Sequence, residues 1–426
     1  MTRSADPARV SRSADPAPVP RSADPAPVPR SADPAVGERI RARRLLRGWS
    51  IRYAASRAGL SHATWSRIER GLQAANNRFT LAQIAGALDC APGDLAGADV
   101  PAPDRATAAA RASVLGLRRA LVDIDLSDPP AGSAPPLAAL SHSVVLANAL
   151  FDACDYAATA RLLPDLLRDL HTETAGPDHA AALRLLCDAT SLACSVLRAL
   201  GHPADAFVAA QRCRDAASAA GDPVLDGYAA YALARAATAC GSYQRGQTIA
   251  ERAADDLSRH VSRPGGAEIL GSLHLVAALA SRSRDRPDDS RECLAEAASL
   301  ARRTGETNTL NMFFGPTNVD IWAMSIEAGD GDPARVVEIA RRTDPAAIPA
   351  GVRQVFYYAD TARALARLGG HDREAIRFLL TAERIAPQHV RTSAELATTI
   401  RDLLDRSRRQ AGGSELRALG ERMQAG

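Results

Sequence analysis

The apolar positions of this chain change their spacing from segment to segment, and those changes divide it before any motif does. Around Gly59 the residues Ala54, Ala58, Leu60, Trp65 and Ile68 recur at helical intervals, which predicts two short helices sharing one buried face. Gly59 ends the first helix because glycine accepts positive φ at little cost, and Ser61 supplies the N-cap of the second. Ala55, four residues before Gly59, marks the place where the two helices cross most closely and only a small side chain fits. His62, Ala63, Thr64, Ser66, Arg67 and Arg70 are left on the outer side of the second helix.

From about Leu137 to Ala386 the pattern becomes one of paired helices separated by short turns. The turns are Cys154-Asp155-Tyr156, Gly201-His202-Pro203, Gly241-Ser242-Tyr243, Arg286-Pro287-Asp288, Gly331-Asp332-Pro333 and Gly370-His371-Asp372. Their last residues lie 47, 40, 45, 45 and 39 apart, a repeat period slightly above forty. Each such pair leaves apolar surface that a neighbour must cover, so the units stack into a superhelix whose inner helices line a groove. Thr392 to Arg408 and Ser414 to Met423 read as helices closing the last unit.

Two segments lack this order. Residues 1–35 carry a nine-residue repeat, RSADPA-x-V-x, whose proline and aspartate give no face to bury, so disorder is expected. Such a tail is either an arm that touches DNA or a partner, or the remnant of a repeat expansion; a native start near Val36 is also open, because valine codons initiate in bacteria. Residues 98–136 are proline-rich at both ends and read as a linker holding one candidate docking helix, Ala110 to Val122.

The stretch VGERIRARRLLRGWSIRYAASRAGLSHATWSRIERG, Val36 to Gly71, resembles the Cro/C1-type, or XRE, family of DNA-binding domains, most specifically in SRIERG, Ser66 to Gly71. The resemblance extends through Phe79 to Leu88 and Ala91-Pro92-Gly93-Asp94-Leu95, and implies a five-helix domain over residues 36–97. It implies base contacts from His62, Ala63 and Arg67, and backbone contacts from Arg52, Thr64, Ser66 and Arg70 around the capping Ser61. Three departures stand out: Ile51 where the family often has a backbone-bracing glutamine, Trp65 for an aliphatic residue, and Arg43 where helix one usually turns a leucine inward. Arg43 is expected to lay its stem along the core and keep its head in water.

The paired helices resemble tetratricopeptide repeats, in Gly370, Ala375, Leu379, Ala382 and Pro387 of the last unit and in Leu233, Ala234, Tyr243 and Ala253 of the Gly241 unit. The expected architecture is therefore all-α: a Cro/C1-type domain followed over residues 137–426 by a tetratricopeptide-like solenoid. One segment, Asn308 to Trp322, interrupts the alanine-rich rhythm, and its FGPTNV piece resembles a stretch of actinobacterial XRE regulators with helical-repeat C-terminal halves. In related peptide-sensing regulators, asparagines on inner helices clamp a ligand's amides. That makes Asn318 the candidate here, with Phe313, Phe314 and Trp322 as an apolar wall; the alternative is a helix break capped by Thr317.

Charge sharpens the picture. The chain's net +3 hides ten arginines against four acids between Val36 and Gly97, while the remainder after that segment is net negative. The sequence contains no lysine, so phosphate contacts fall to arginine forks and neutral donors. The seven cysteines are scattered without a C-x-x-C pair and read as small buried hydrophobes in a reducing compartment; Cys187 and Cys194 share a helix face by spacing. No catalytic signature, metal-ligand spacing or cofactor fingerprint is present, and no long uninterrupted apolar run. These features imply no enzyme, cofactor or membrane. The expectation is a cytoplasmic, homodimeric transcription regulator that binds double-stranded operator DNA and whose repeats sense a peptide or small-molecule effector. The alternative is a DNA-tethered scaffold whose repeats hold a protein partner constitutively.

Overall fold

A computed structural model describes residues 34–73, 75, 78–88, 90, 95, 105–329, 331–407 and 414–423. Among these residues there are twenty α-helices and no strand, the all-α class that the periodicity predicts. Residues 1–33 of the repeat tail lie outside the described residues, and its last two, Pro34 and Ala35, begin the first helix.

The first four helices are Pro34–Leu46, Ile51–Arg57, His62–Glu69 and Arg78–Ala87. Ser50 and Ser61 cap the second and third, each hydroxyl accepting the backbone N–H three residues on, from Tyr53 at 3.2 Å and Thr64 at 3.0 Å. Between them Gly59 has φ +66°, and the Leu60 N–H returns to the Ala55 carbonyl at 2.9 Å, closing the turn. Ala54, Ala55, Ala58, Trp65 and Ile68 are buried with Ile40, Ile84, Leu88 and Leu95 in one small core. Gly37 brings helix one against the end of helix three. A Cβ there would stand 2.4 Å from the Ile68 carbonyl oxygen, so no larger residue fits. The expected fifth helix falls mostly outside the described residues, but Leu95 is fully buried and its carbonyl accepts from Arg39 Nε at 2.6 Å.

The candidate docking helix runs from Arg105 to Asp123 and is longer than expected. It packs against Tyr156–Glu173, with Val114, Leu117, Leu121 and Ile124 buried in the large core, so this part of the 98–136 segment belongs structurally to the repeats.

All six expected turns fall between consecutive helices. Leu137–Asp152, His179–Ala199, Pro223–Ala239, Gly266–Ser283, Pro316–Glu327 and Gly351–Leu368 are each followed by a partner helix across one of these turns. Alanines such as Ala206, Ala209, Ala210, Ala216 and Ala217 are fully buried, which lets neighbouring helices approach closely. His179–Ala199 is long and apolar enough to cross a membrane, yet 67% of that window is buried inside this fold, as in a core helix of the stack. Closing helices Ala394–Ser407 and Ser414–Arg422 pack on each other at the end.

The stack also returns on itself. Gly351–Leu368 touches Leu137–Asp152, and Asn311 donates from Nδ2 to Asn148 Oδ1 at 3.2 Å and to Asp152 Oδ2 at 3.2 Å. Cys154 and Tyr156, from the first helix pair, share a core with Phe313, Val355 and Ala350.

Candidate nucleic-acid interface

A recognition helix must hold its outer side chains in place from behind, and here a charged clamp does so. Glu69 lies four residues after Trp65, hence on the same helical face and inside the domain. Its carboxylate accepts the Trp65 indole N–H at 2.5 Å and two bonds from Arg44, Nε at 2.6 Å and Nη2 at 2.9 Å. Arg44 Nη1 also donates to the Trp49 carbonyl at 2.7 Å. The hydrogen bonds from Arg44 to Glu69 raise the guanidinium's pKa above its ordinary value against the opposing effect of burial. Helix one, the turn before helix two and the recognition helix are thereby tied together through one buried, bidentate pair.

The sequence reading of helix one did not foresee this arginine. Arg43, expected to lay its stem along the core with its head in water, is half-buried, and Arg44 is the one that enters, 7% exposed. Each helical step turns about 100°, so one position is enough to change face. The departure at Trp65 now has a cause as well, since an aliphatic residue would leave that Glu69 oxygen without the indole donor. The sequence carried a signal for the clamp: Glu69 follows the buried Trp65 at helical spacing. Nothing in it paired Glu69 with Arg44, twenty-five residues away.

On the outer face the expected residues come together. Ser61, His62, Ala63, Arg67 and Arg70 are exposed, while Thr64 and Ser66 are half-buried. The Thr64 hydroxyl lies 2.8 Å from that of Ser61, and Arg67 donates from Nε to Gln73 Oε1 at 3.1 Å. Arg70 Nε bonds the Ser66 carbonyl at 3.1 Å, which holds it along the end of the helix. Arg52 is exposed at the start of helix two, whereas its neighbour Ile51 packs on the domain core, where a bracing glutamine would have reached outward. Arg57 lies over the Trp49 ring at 5.1 Å, and Tyr53 meets the same ring edge-on at 5.1 Å. A family model described as a helix-turn-helix domain matches residues 35–96. Residues 35–96 are a helix-turn-helix DNA-binding domain. No curated protein matches the chain. Within that domain His62–Glu69 carries a Ser61 cap and an outer face with Arg67 exposed.

The second group of expected site residues is placed differently from the expectation. Asn318 is the third residue of Pro316–Glu327, but it is 2% exposed, donating from Nδ2 to the Met312 carbonyl at 3.4 Å, with no partner for Oδ1. Phe313 and Phe314 do not form one wall: Phe313 joins the core of the later helices, and Phe314 that of the earlier ones. The tip of the Phe314 ring points at Gly271, where a Cβ would stand 2.0 Å from its Cζ. Trp322 faces Arg235, whose guanidinium carbon is 4.5 Å from the ring centre. The preceding loop holds Leu310, Asn311 and Phe313 at positive φ, conformations disfavoured for these residues and held here by the bonds of Asn308, Asn311 and Thr307. Cys187, finally, meets Cys213 on the neighbouring helix, sulfur to sulfur at 3.4 Å, rather than Cys194.

Proposed function

We propose that this chain is a transcription regulator in which the helix-turn-helix domain binds double-stranded operator DNA and the helical region, a tetratricopeptide-like solenoid, carries an effector site and pairs two copies. The reading is supported above all by the outer face of His62–Glu69, where a capped helix with exposed His62, Arg67 and Arg70 is backed by the Arg44–Glu69–Trp65 clamp. The concentration of arginine in this domain, set against a net negative remainder, favours DNA as the partner of that face. Two copies joined through the solenoids place two such faces on one duplex, so a change in solenoid geometry alters half-site spacing. The test is selection of genomic fragments by the full chain, followed by footprinting and mass measurement of the complex. A protected pseudo-palindrome bound by two copies is expected; binding indifferent to sequence at all salt concentrations would sink the proposal.

A further inference from the structure

Three arginines come from three helices of the stack: Arg198 on His179–Ala199, Arg235 on Pro223–Ala239 and Arg353 on Gly351–Leu368. All three are half-buried, and among the described residues none has an ion pair. Arg363, on the same helix as Arg353, shows the usual solution, pairing with Asp360 at 2.9 Å and Glu395 at 3.4 Å. Arg235 instead lies over Trp322 at 4.5 Å and reaches the Tyr231 hydroxyl at 3.5 Å. Arg198 buries its Nε without any hydrogen-bond partner.

The three charges act on one another. Burial, and then the like charges of Arg198 and Arg353, press the Arg235 guanidinium down from its ordinary value. Burial acts to raise the Tyr231 phenol, yet the positive charges of Arg235, Arg353 and Arg198 together bring it below its ordinary value. Asp152 is the acid within reach of Arg353, but burial pushes it up to about 6 and its oxygens already accept from Asn311. A guanidinium does not relieve such pressure by giving up its proton, since it stays charged throughout the accessible pH range. It is relieved by an anion.

We propose that Arg198, Arg235 and Arg353, with Tyr231 and Trp322 beside them, form an internal binding site for a small molecule bearing a phosphate group. A carboxylate presents two oxygens in one plane and satisfies one fork, whereas the tetrahedral oxygens of a phosphate dianion can receive donors from several directions. The site is set on helices of the region after the helix-turn-helix domain. Its use as the effector site rests on the regulator reading above; its occupancy does not.

The probe is pyrophosphate, added to the full chain at constant ionic strength, with thermal unfolding and calorimetric titration as readouts. At about one hundred times Kd the melting temperature should rise by roughly 3 to 8 °C. Because phosphates also stabilise folded proteins by exclusion from their surface, the decisive quantity is the difference from variants. Arg235→Gln and Arg353→Gln should each lose most of that rise, weaken binding at least tenfold, and melt at or above the wild type without the probe, because a like charge has gone. Equal shifts in wild type and variants would overturn the site, as would variants that both melt several degrees below wild type before any anion is added. If pyrophosphate binds as expected while retention of the protein on genomic DNA is unchanged, the anion site stands and its role as effector site falls.

Discussion

Replacing Glu69 by alanine leaves the Arg44 guanidinium inside the domain with its counter-charge removed and the Trp65 indole N–H without its acceptor. Breaking one side of a buried ion pair in this way costs about 3 to 5 kcal/mol. A domain of this size is held by roughly 3 to 9 kcal/mol in total, so much of the helix-turn-helix population should be unfolded in Glu69→Ala. The helical region after it has separate cores and should remain folded. Hydrogen-exchange protection of peptides from residues 36–71 in the full chain resolves the two regions. Protection there should collapse and DNA binding fall, while peptides from residues 179–239 stay protected. Arg44→Met combined with Glu69→Leu removes both charges together and should recover about 2 kcal/mol or more relative to Glu69→Ala, with the unpaired indole as its residual cost. If the double variant is as unstable as the single one, the loss is one of packing and the charge argument is wrong.

On DNA, Arg67→Ala should cost about 1 to 3 kcal/mol on the operator and relax preference at one position, whereas Arg70→Ala should weaken all sequences alike; competition binding against random DNA separates the two. Gly37→Ala drives a methyl group into the Ile68 carbonyl and should destabilise the DNA-binding domain by about 1 to 3 kcal/mol, read from the same exchange measurement. Burial pushes the Asp188 carboxyl up to about 7. The native state therefore holds this proton more tightly than the unfolded chain, so the group's contribution is most favourable below pH ~4 and is lost as pH rises towards ~7. Asp188→Asn should accordingly raise the melting temperature at pH 8, by the equivalent of up to about 4 kcal/mol, with little gain at pH 4; an unchanged melting temperature at pH 8 would remove that buried charge from the account.

Local signals were enough for the elements. Gly59 and Ser61 act through residues within a few positions, so the turn and the outer face of His62–Glu69 were legible from spacing alone. The same holds for the six inter-helix turns, each set by residues adjacent in sequence. Charge segregation pointed to the DNA-binding end because it is a property of composition. What sequence could not supply were encounters between distant positions. Arg44 meets Glu69 across twenty-five residues, and a single 100° step decided that Arg44 rather than Arg43 turned inward. Phe313 and Phe314, neighbours in the chain, were parted because consecutive side chains on that loop enter different cores. Asn318 went inside because the loop before it folds back over the helix start, so an asparagine read as a groove residue became a buried bond to Met312. Arg198, Arg235 and Arg353 were unremarkable on their own helices; the contact of His179–Ala199 with Pro223–Ala239 and the return of Gly351–Leu368 onto Leu137–Asp152 brought their charges to act on one another.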